Sequence, residues 1–329
     1  MSNIVGLSLI AAFLVLEAVL FVILHKVKLK EKGQRGIVLA MALLPMFLLT
    51  AVDSWDWPAT INPNVDLPFS WFHFIFIALV LLFAFGATRV ATLHIQKDTS
   101  EGRLSKTDWT VFVFGVLLTG IEIYKQIFYG TLFTGYQWYL FPFQFCSVPL
   151  YVCLIAPWIK NQKRKEACYS FIGIFGLIAG LAVMAYPTTV FTNQISICIH
   201  TMVWHGTMIV VGVYLVARYR IGTSLVQWKQ ASAILSMFIL IAIVMNMAIH
   251  LFAPQIGLNP FFLSPWISSP FPVLSTILAK GQSSWGVFWG WLVYLISYIL
   301  AFFLGGMLVY LVAGIFTHKP NPAFSKQPA

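Results

Sequence analysis

The chain has 329 residues, 60% of them hydrophobic and only 9% charged, with a formal net charge of +10. A soluble domain carries roughly 25% charged residues, so the composition excludes a sizeable soluble domain and implies an integral, multi-pass membrane protein. The basic excess does not imply a nucleic-acid partner, because the Lys and Arg residues fall in short segments between apolar runs, the pattern of membrane topology.

With ~20 residues as the length that crosses a bilayer, the sequence predicts an all-α, polytopic transmembrane bundle of about nine helices. The first run, 4–26, follows directly on Met-Ser-Asn, with neither a basic region nor a small-residue cleavage site; it reads as a retained helix, not a signal peptide. Glu17 lies near its middle. The basic connection "HKVKLKEKGQR" leads to the second helix, 36–53, and the acidic connection "DSWDWPATINPNVDLP" to the third, 69–90. Helices follow over 108–130, 137–158, 169–187, 195–217, 229–253 and 286–316. Basic and non-basic connections alternate throughout, and 18 of the 20 Lys and Arg residues fall on one side, with only Lys125 and Lys280 left over. The positive-inside rule then predicts the N-terminus outside and the C-terminus inside. The expected location is a bacterial cell membrane.

Residues 254–285, with "APQIGLNPFFLSPWISSPFPVLSTI", are too rich in proline for a spanning helix and too apolar for a polar loop. They read as an outer cap or a re-entrant segment of a single integral membrane domain covering 1–329. Four cysteines, Cys146, Cys153, Cys168 and Cys198, lie in or beside apolar runs, so no disulfide framework is expected.

Polar residues inside spans are costly and usually face a cavity. At ~1.5 Å of rise per residue, Glu122, Gln144, Cys146, His200, His205, Asn246 and His250 all fall about 5–15 Å below the outer face, on four different helices. Lys125 is placed to pair with Glu122 at i, i+3. A polar pocket opening outward explains the coincidence. Each residue also has a plainer explanation: a buried cysteine is a small hydrophobe, and a lone His, Gln or Asn bonds a neighbouring helix. Metal ligation fits poorly. His200 and His205 are about 140° apart on a regular helix, and the Cys–His and Cys–Cys pairs seven residues apart are ~10 Å apart along the axis, too far for one ion. No metal, phosphate-loop, dinucleotide or Ser-elbow motif is present, so no cofactor is expected.

Cys–His chemistry does fit. A thiol in apolar surroundings is inert unless a base or a positive charge lies beside it, and His205 reaches the depth of Cys146 from another helix. Gly206 permits close approach of a neighbour. Pro142 and Pro149 bracket the cysteine and free backbone N–H groups that could hold an oxyanion, with Gln144 as a further donor.

The stretches "PFQFCSVPLYV", "NQISICIHTMVWHGTMIVVGVYL" and "NPFFLSPWISSPFPVLS" resemble successive motifs of the YwaF / transmembrane-protein-164 family over roughly 140–280, while the first four helices match only in being apolar. Animal members act as acyltransferases on membrane glycerophospholipids through a cysteine and a histidine. The resemblance implies Cys146 as nucleophile and His205 as base. Many members carry a His two residues before the Cys where this chain has Gln144, which leaves His200 or His250 to compensate. The function expected is therefore transfer of a fatty acyl group between glycerolipids, with phospholipid or lysophospholipid as partner and Glu122, Lys125, Gln144, His200, Asn246 and His250 binding substrate. The alternative from another class is a non-enzymatic transporter or lipid binder using the same pocket. The sequence carries no signal for oligomeric state.

Overall fold

The computed structural model describes residues 32–54, 62–97, 104–132, 136 and 138–317. The first predicted helix, with Glu17, lies outside the described residues. Among those residues all regular structure is helical, and seven helices are long and apolar enough to cross a membrane. Helix suits that setting because it satisfies every backbone group within the segment. The elements are α1 (Lys32–Ser54), α2 (Trp71–Lys97), α3 (Lys106–Leu132), the short α4 (Val148–Ile155), α5 (Gln162–Ala185), α6 (Ile195–Tyr219), α7 (Leu225–Phe252) and α8 (Pro272–Thr317).

Local chemistry sets several starts. Ser105 Oγ accepts the Asp108 amide at the head of α3, and the Asn161 side chain accepts the Arg164 amide to open α5. Ser224 and Gln227 form a capping box for α7. The most deeply buried span is α6, with α1, α2, α3 and α5 packed around it. At one end of the bundle, Asp108 accepts from Lys165 Nζ at 2.7 Å and from the Tyr169 hydroxyl at 2.5 Å. Arg218 Nε donates to Thr107 Oγ1 at 3.0 Å. These bonds tie α3, α5 and α6 together on the side of the basic segments. Glu122 stands 14 residues along α3 from Asp108, so about 21 Å away toward the other end.

Two predicted elements differ from the structure. The segment expected to span as 137–158 holds two 3₁₀ turns, Trp138–Leu140 and Ala156–Trp158, an irregular stretch over 141–147 and only eight residues of α-helix in α4. Pro142 cannot extend a hydrogen-bond ladder and Pro149 is tolerated only in the first turn of α4, so the helix starts late. Between them the Gln144 carbonyl accepts the amides of both Ser147 and Val148, and the Tyr151 hydroxyl donates to the Pro142 carbonyl at 2.6 Å.

The second difference is at α8, which begins at Pro272 rather than 286 and is broken at Gly286, where φ is +81°. A Cβ on Gly281 would lie 2.9 Å from the Gly290 Cα. Residues nine apart in a straight helix would be ~13 Å apart, so the two arms, 272–285 and 287–317, fold back on one another. Only glycine permits both the turn and the backbone contact. Both arms clasp the 254–271 segment: Gln282 Nε2 donates to the Pro265 carbonyl, Trp291 Nε1 to Leu263 and the Tyr294 hydroxyl to Phe262.

Candidate functional site

The segment before α4 delivers Cys146 to a cavity of about 280 Å³ that is also lined by Glu122 and Lys125 of α3 and by His200, Trp204 and His205 of α6. Residues 189–192, between α5 and α6, form another wall. The i, i+3 pair predicted on α3 is formed, with Lys125 Nζ 2.8 Å from Glu122 Oε1. The same oxygen accepts Gln126 Nε2 at 2.6 Å, and Gln126 in turn holds the Leu140 carbonyl at 2.9 Å. Lys125 Nζ sits 6.0 Å from the centre of the Trp204 ring, within cation–π range.

Trp204 organises the α6 side. Its ring stacks on His200, centroids 5.6 Å apart, and its Nε1 donates to the Cys146 carbonyl at 3.1 Å. That bond fixes the irregular cysteine-bearing segment to the most buried helix. His205 is oriented by its own helix: Nδ1 lies 2.8 Å from the Thr201 carbonyl. A carbonyl can only accept, so Nδ1 carries the proton and the neutral ring keeps its lone pair on Nε2. Behind it, a Cβ on Gly180 of α5 would come within 2.7 Å of the His205 carbonyl, so α5 backs the histidine closely.

Glu122, His200 and His205 are 4%, 5% and 6% exposed, yet Glu122 Oε2, His200 Nε2 and His205 Nε2 have no hydrogen-bond partner. A buried polar atom left unpaired costs about 1–3 kcal/mol. Three of them on one small cavity mark where a hydrogen-bond donor is missing. His205 Nε2 makes no hydrogen bond to Cys146 Sγ, although both side chains line the cavity. Among the described residues no three of His, Cys, Asp and Glu converge closely enough to hold a metal ion. The amides of Phe145 and Cys146 take no backbone partner among the described residues, and the Cys146 amide is directed at its own thiol. Cys153 is fully buried in the apolar core.

Depth alone groups Gln144, Asn246 and His250 with this pocket, whereas in the structure none of the three lines it. Gln144 Nε2 donates to the Asn259 carbonyl at 3.0 Å. Asn246 Nδ2 donates to Pro260 at 2.9 Å and to Ala242 at 2.8 Å. His250 stacks flat on Trp266, centroids 3.4 Å apart. Their partners are the 254–271 segment, because depth fixes position along a helix axis but not rotation about it. Gly206 does admit a close neighbour, but that neighbour is Val80 of α2, whose Cγ2 would lie 2.5 Å from an added Cβ, on the side away from Cys146. Sequence reasoning passed over Gln126 and Thr201. Both stand four residues from a candidate, Glu122 and His205, on the same helix face, and that spacing was the available signal.

No curated protein and no solved structure is similar enough to match the chain. The family model described as the TMEM164 family matches residues 68–310. That span begins well before the motifs at 140–280 and takes in α2 and α3, which resembled the family only in being apolar. By this match, over an all-helical membrane bundle, the chain belongs to the TMEM164 family.

Proposed function

We infer that this protein is a membrane acyltransferase that moves a fatty acyl group between glycerolipids, with Cys146 as nucleophile and His205 as base. The observation that carries this reading is the shared cavity: a half-buried thiol and an imidazole whose open Nε2 is fixed by the Thr201 carbonyl line the same 280 Å³. His205 Nε2 takes the thiol proton, and the thiolate attacks the ester carbonyl of a phospholipid. The amides beside Cys146 hold the oxyanion. Collapse breaks the ester C–O bond; the departing lysolipid oxygen takes the proton from His205, and the acyl group stays on sulfur. In the second half, His205 removes the hydroxyl proton of an acceptor lysophospholipid. That oxygen attacks the thioester, and Cys146 leaves as thiolate and is reprotonated by His205. Because thiol and imidazole are not hydrogen-bonded to one another, a side-chain rotation that brings them together precedes the first step.

The open acceptors Glu122 Oε2 and His200 Nε2 suit a hydroxyl-bearing substrate, and Lys125 suits its phosphate. On this reading the protein lies in a bacterial cell membrane, N-terminus out and C-terminus in. The 254–271 segment, with the α8 arm that continues it to 285, is an outer cap or a re-entrant part of a single domain. Labelling of cysteines introduced at 160–165 and 255–265 tests the orientation: only the second set should react from outside.

The deciding experiment is intact-mass measurement after incubation of the purified protein with phospholipid. One fatty-acyl mass should be gained and then released by neutral hydroxylamine, as a thioester is. Cys146→Ala should abolish the adduct, while Cys153→Ala should leave it. A protein that stays unacylated with every phospholipid and instead exchanges a solute across vesicles is a transporter, and the acyltransferase reading fails.

A further inference from the structure

The basic residues that the topology left over are Lys125 and Lys280. Lys125 is half-buried and paired with Glu122. Lys280 is exposed and has no acidic partner among the described residues. It lies on the first arm of α8, six residues before the Gly286 turn, about 9 Å from the tip of the hairpin. The tip carries Trp285 and Trp289, 59% and 60% exposed. Exposed tryptophans of this kind mark the headgroup level of a bilayer.

The two arms touch at Gly281 and Gly290 and spread apart below that contact. The opening is a cleft of about 760 Å³, within the ~300–1,000 Å³ of small-molecule sites. Its wall is mostly apolar along Val273, Ile277 and Val293, interrupted by Thr276 and by Ser297, whose hydroxyl donates to the Val293 carbonyl. Its one charged group, Lys280, stands with Ser284 at the end nearer the turn. A mostly apolar wall with its charge at that end matches one kind of occupant available at that depth, a phospholipid.

We propose that this cleft is a binding site for one membrane phospholipid, its phosphate held by the Lys280 ammonium and the Ser284 hydroxyl and one acyl chain lying along Val273, Ile277 and Val293. The lysine extends its stem along the apolar wall and places its charge at the phosphate level. The cleft shares no lining residue with the Cys146 cavity, so the proposal stands or falls apart from the acyl-transfer reading.

The test is native mass spectrometry of the full-length protein in detergent, titrated with dioleoylphosphatidylglycerol and, in parallel, with the phosphate-free dioleoylglycerol. The wild type should retain one phosphatidylglycerol per chain and retain dioleoylglycerol far less. Lys280→Gln should weaken phosphatidylglycerol retention about fivefold, as expected for one lysine at a membrane surface, and leave dioleoylglycerol unchanged. Val293→Trp, which fills the cleft at a partly exposed position, should weaken it as well. Equal retention of the two lipids by the wild type, or unchanged phosphatidylglycerol retention in both variants, would overturn the proposal. A two-chain species that Val293→Trp dissociates without altering lipid retention would also overturn it, in favour of a contact between copies.

Discussion

The Cys146 cavity and the clasp around residues 254–271 are built from the same kinds of side chain, and they use them in opposite ways. In the clasp, the amide and indole donors of Gln144, Asn246, Gln282 and Trp291 reach the carbonyls of Asn259, Pro260, Pro265 and Leu263, although Gln144 Oε1 and Asn246 Oδ1 are themselves buried without a partner. In the cavity, a carboxylate oxygen and two imidazole nitrogens are buried with no partner. Donors committed to loop carbonyls hold shape. Both regions bury unpartnered acceptors at a cost of about 1–3 kcal/mol each. What sets the cavity apart is that its open atoms belong to a carboxylate and two imidazoles, groups that exchange protons, whereas those of the clasp belong to amides, which do not.

Substitutions on the two sides should part company. The largest effect belongs to His205→Ala, which should slow formation of the Cys146 acyl adduct by roughly 10²–10⁴, the range for a lost general base, with little change in thermal stability. Adduct formation at wild-type rate in that variant would remove His205 from the chemistry. Next comes Trp204→Phe, which keeps the ring over His200 but removes the bond to the Cys146 carbonyl. A hydrogen bond worth about 1 kcal/mol predicts a roughly fivefold slower acylation, read by the same mass assay. On the clasp side, Asn246→Ala strands the Pro260 carbonyl and should cost about 1–3 kcal/mol of stability, seen as a lower melting temperature in detergent. The acylation rate of the folded fraction should stay the same, and a collapse of that rate at unchanged melting temperature would erase the distinction drawn between the two regions. The smallest effect is expected for His250→Ala. Its stacking partner Trp266 is itself 45% exposed, so the loss should be about 0.5 kcal/mol, the low end for a stacked pair.

Much of the architecture could be read from the sequence because apolar length and charge placement are one-dimensional signals. The spans at 36–53, 108–130 and 195–217 match α1, α3 and α6 to within a few residues. The Glu122–Lys125 pair was legible for the same reason, since i, i+3 spacing on one helix needs no knowledge of neighbours. Rotation was not legible. Asn246 and His250 are one turn apart on α7 and share a face, and only the fold shows that this face looks toward Pro260 and Trp266. Pro142 and Pro149 announced an interruption at Cys146, but hydropathy alone kept 137–158 as a full span. The structure spends about a third of that length, 141–147, on an irregular chain that bears the thiol. The Gly286 break fell at the predicted boundary, while the fold-back of the arm before it depended on a contact between two glycines that no local pattern encodes.

The clasp also sets an order of assembly. Residues 254–271 accept three of their bonds from Gln282, Trp291 and Tyr294, which follow them in the chain, and one from Gln144, made more than a hundred residues earlier. During synthesis, when the chain folds from its N-terminal end, the peptide that carries Cys146 waits for its last support until the second arm of α8 has left the ribosome. A nascent chain halted before Trp291 would hold the thiol and the imidazole, already joined through Trp204 and the Cys146 carbonyl, but the loop that accepts from Gln144 would lack its bonds to the second arm. The outermost brace of the cysteine-bearing segment is thus the last part of the bundle to be made.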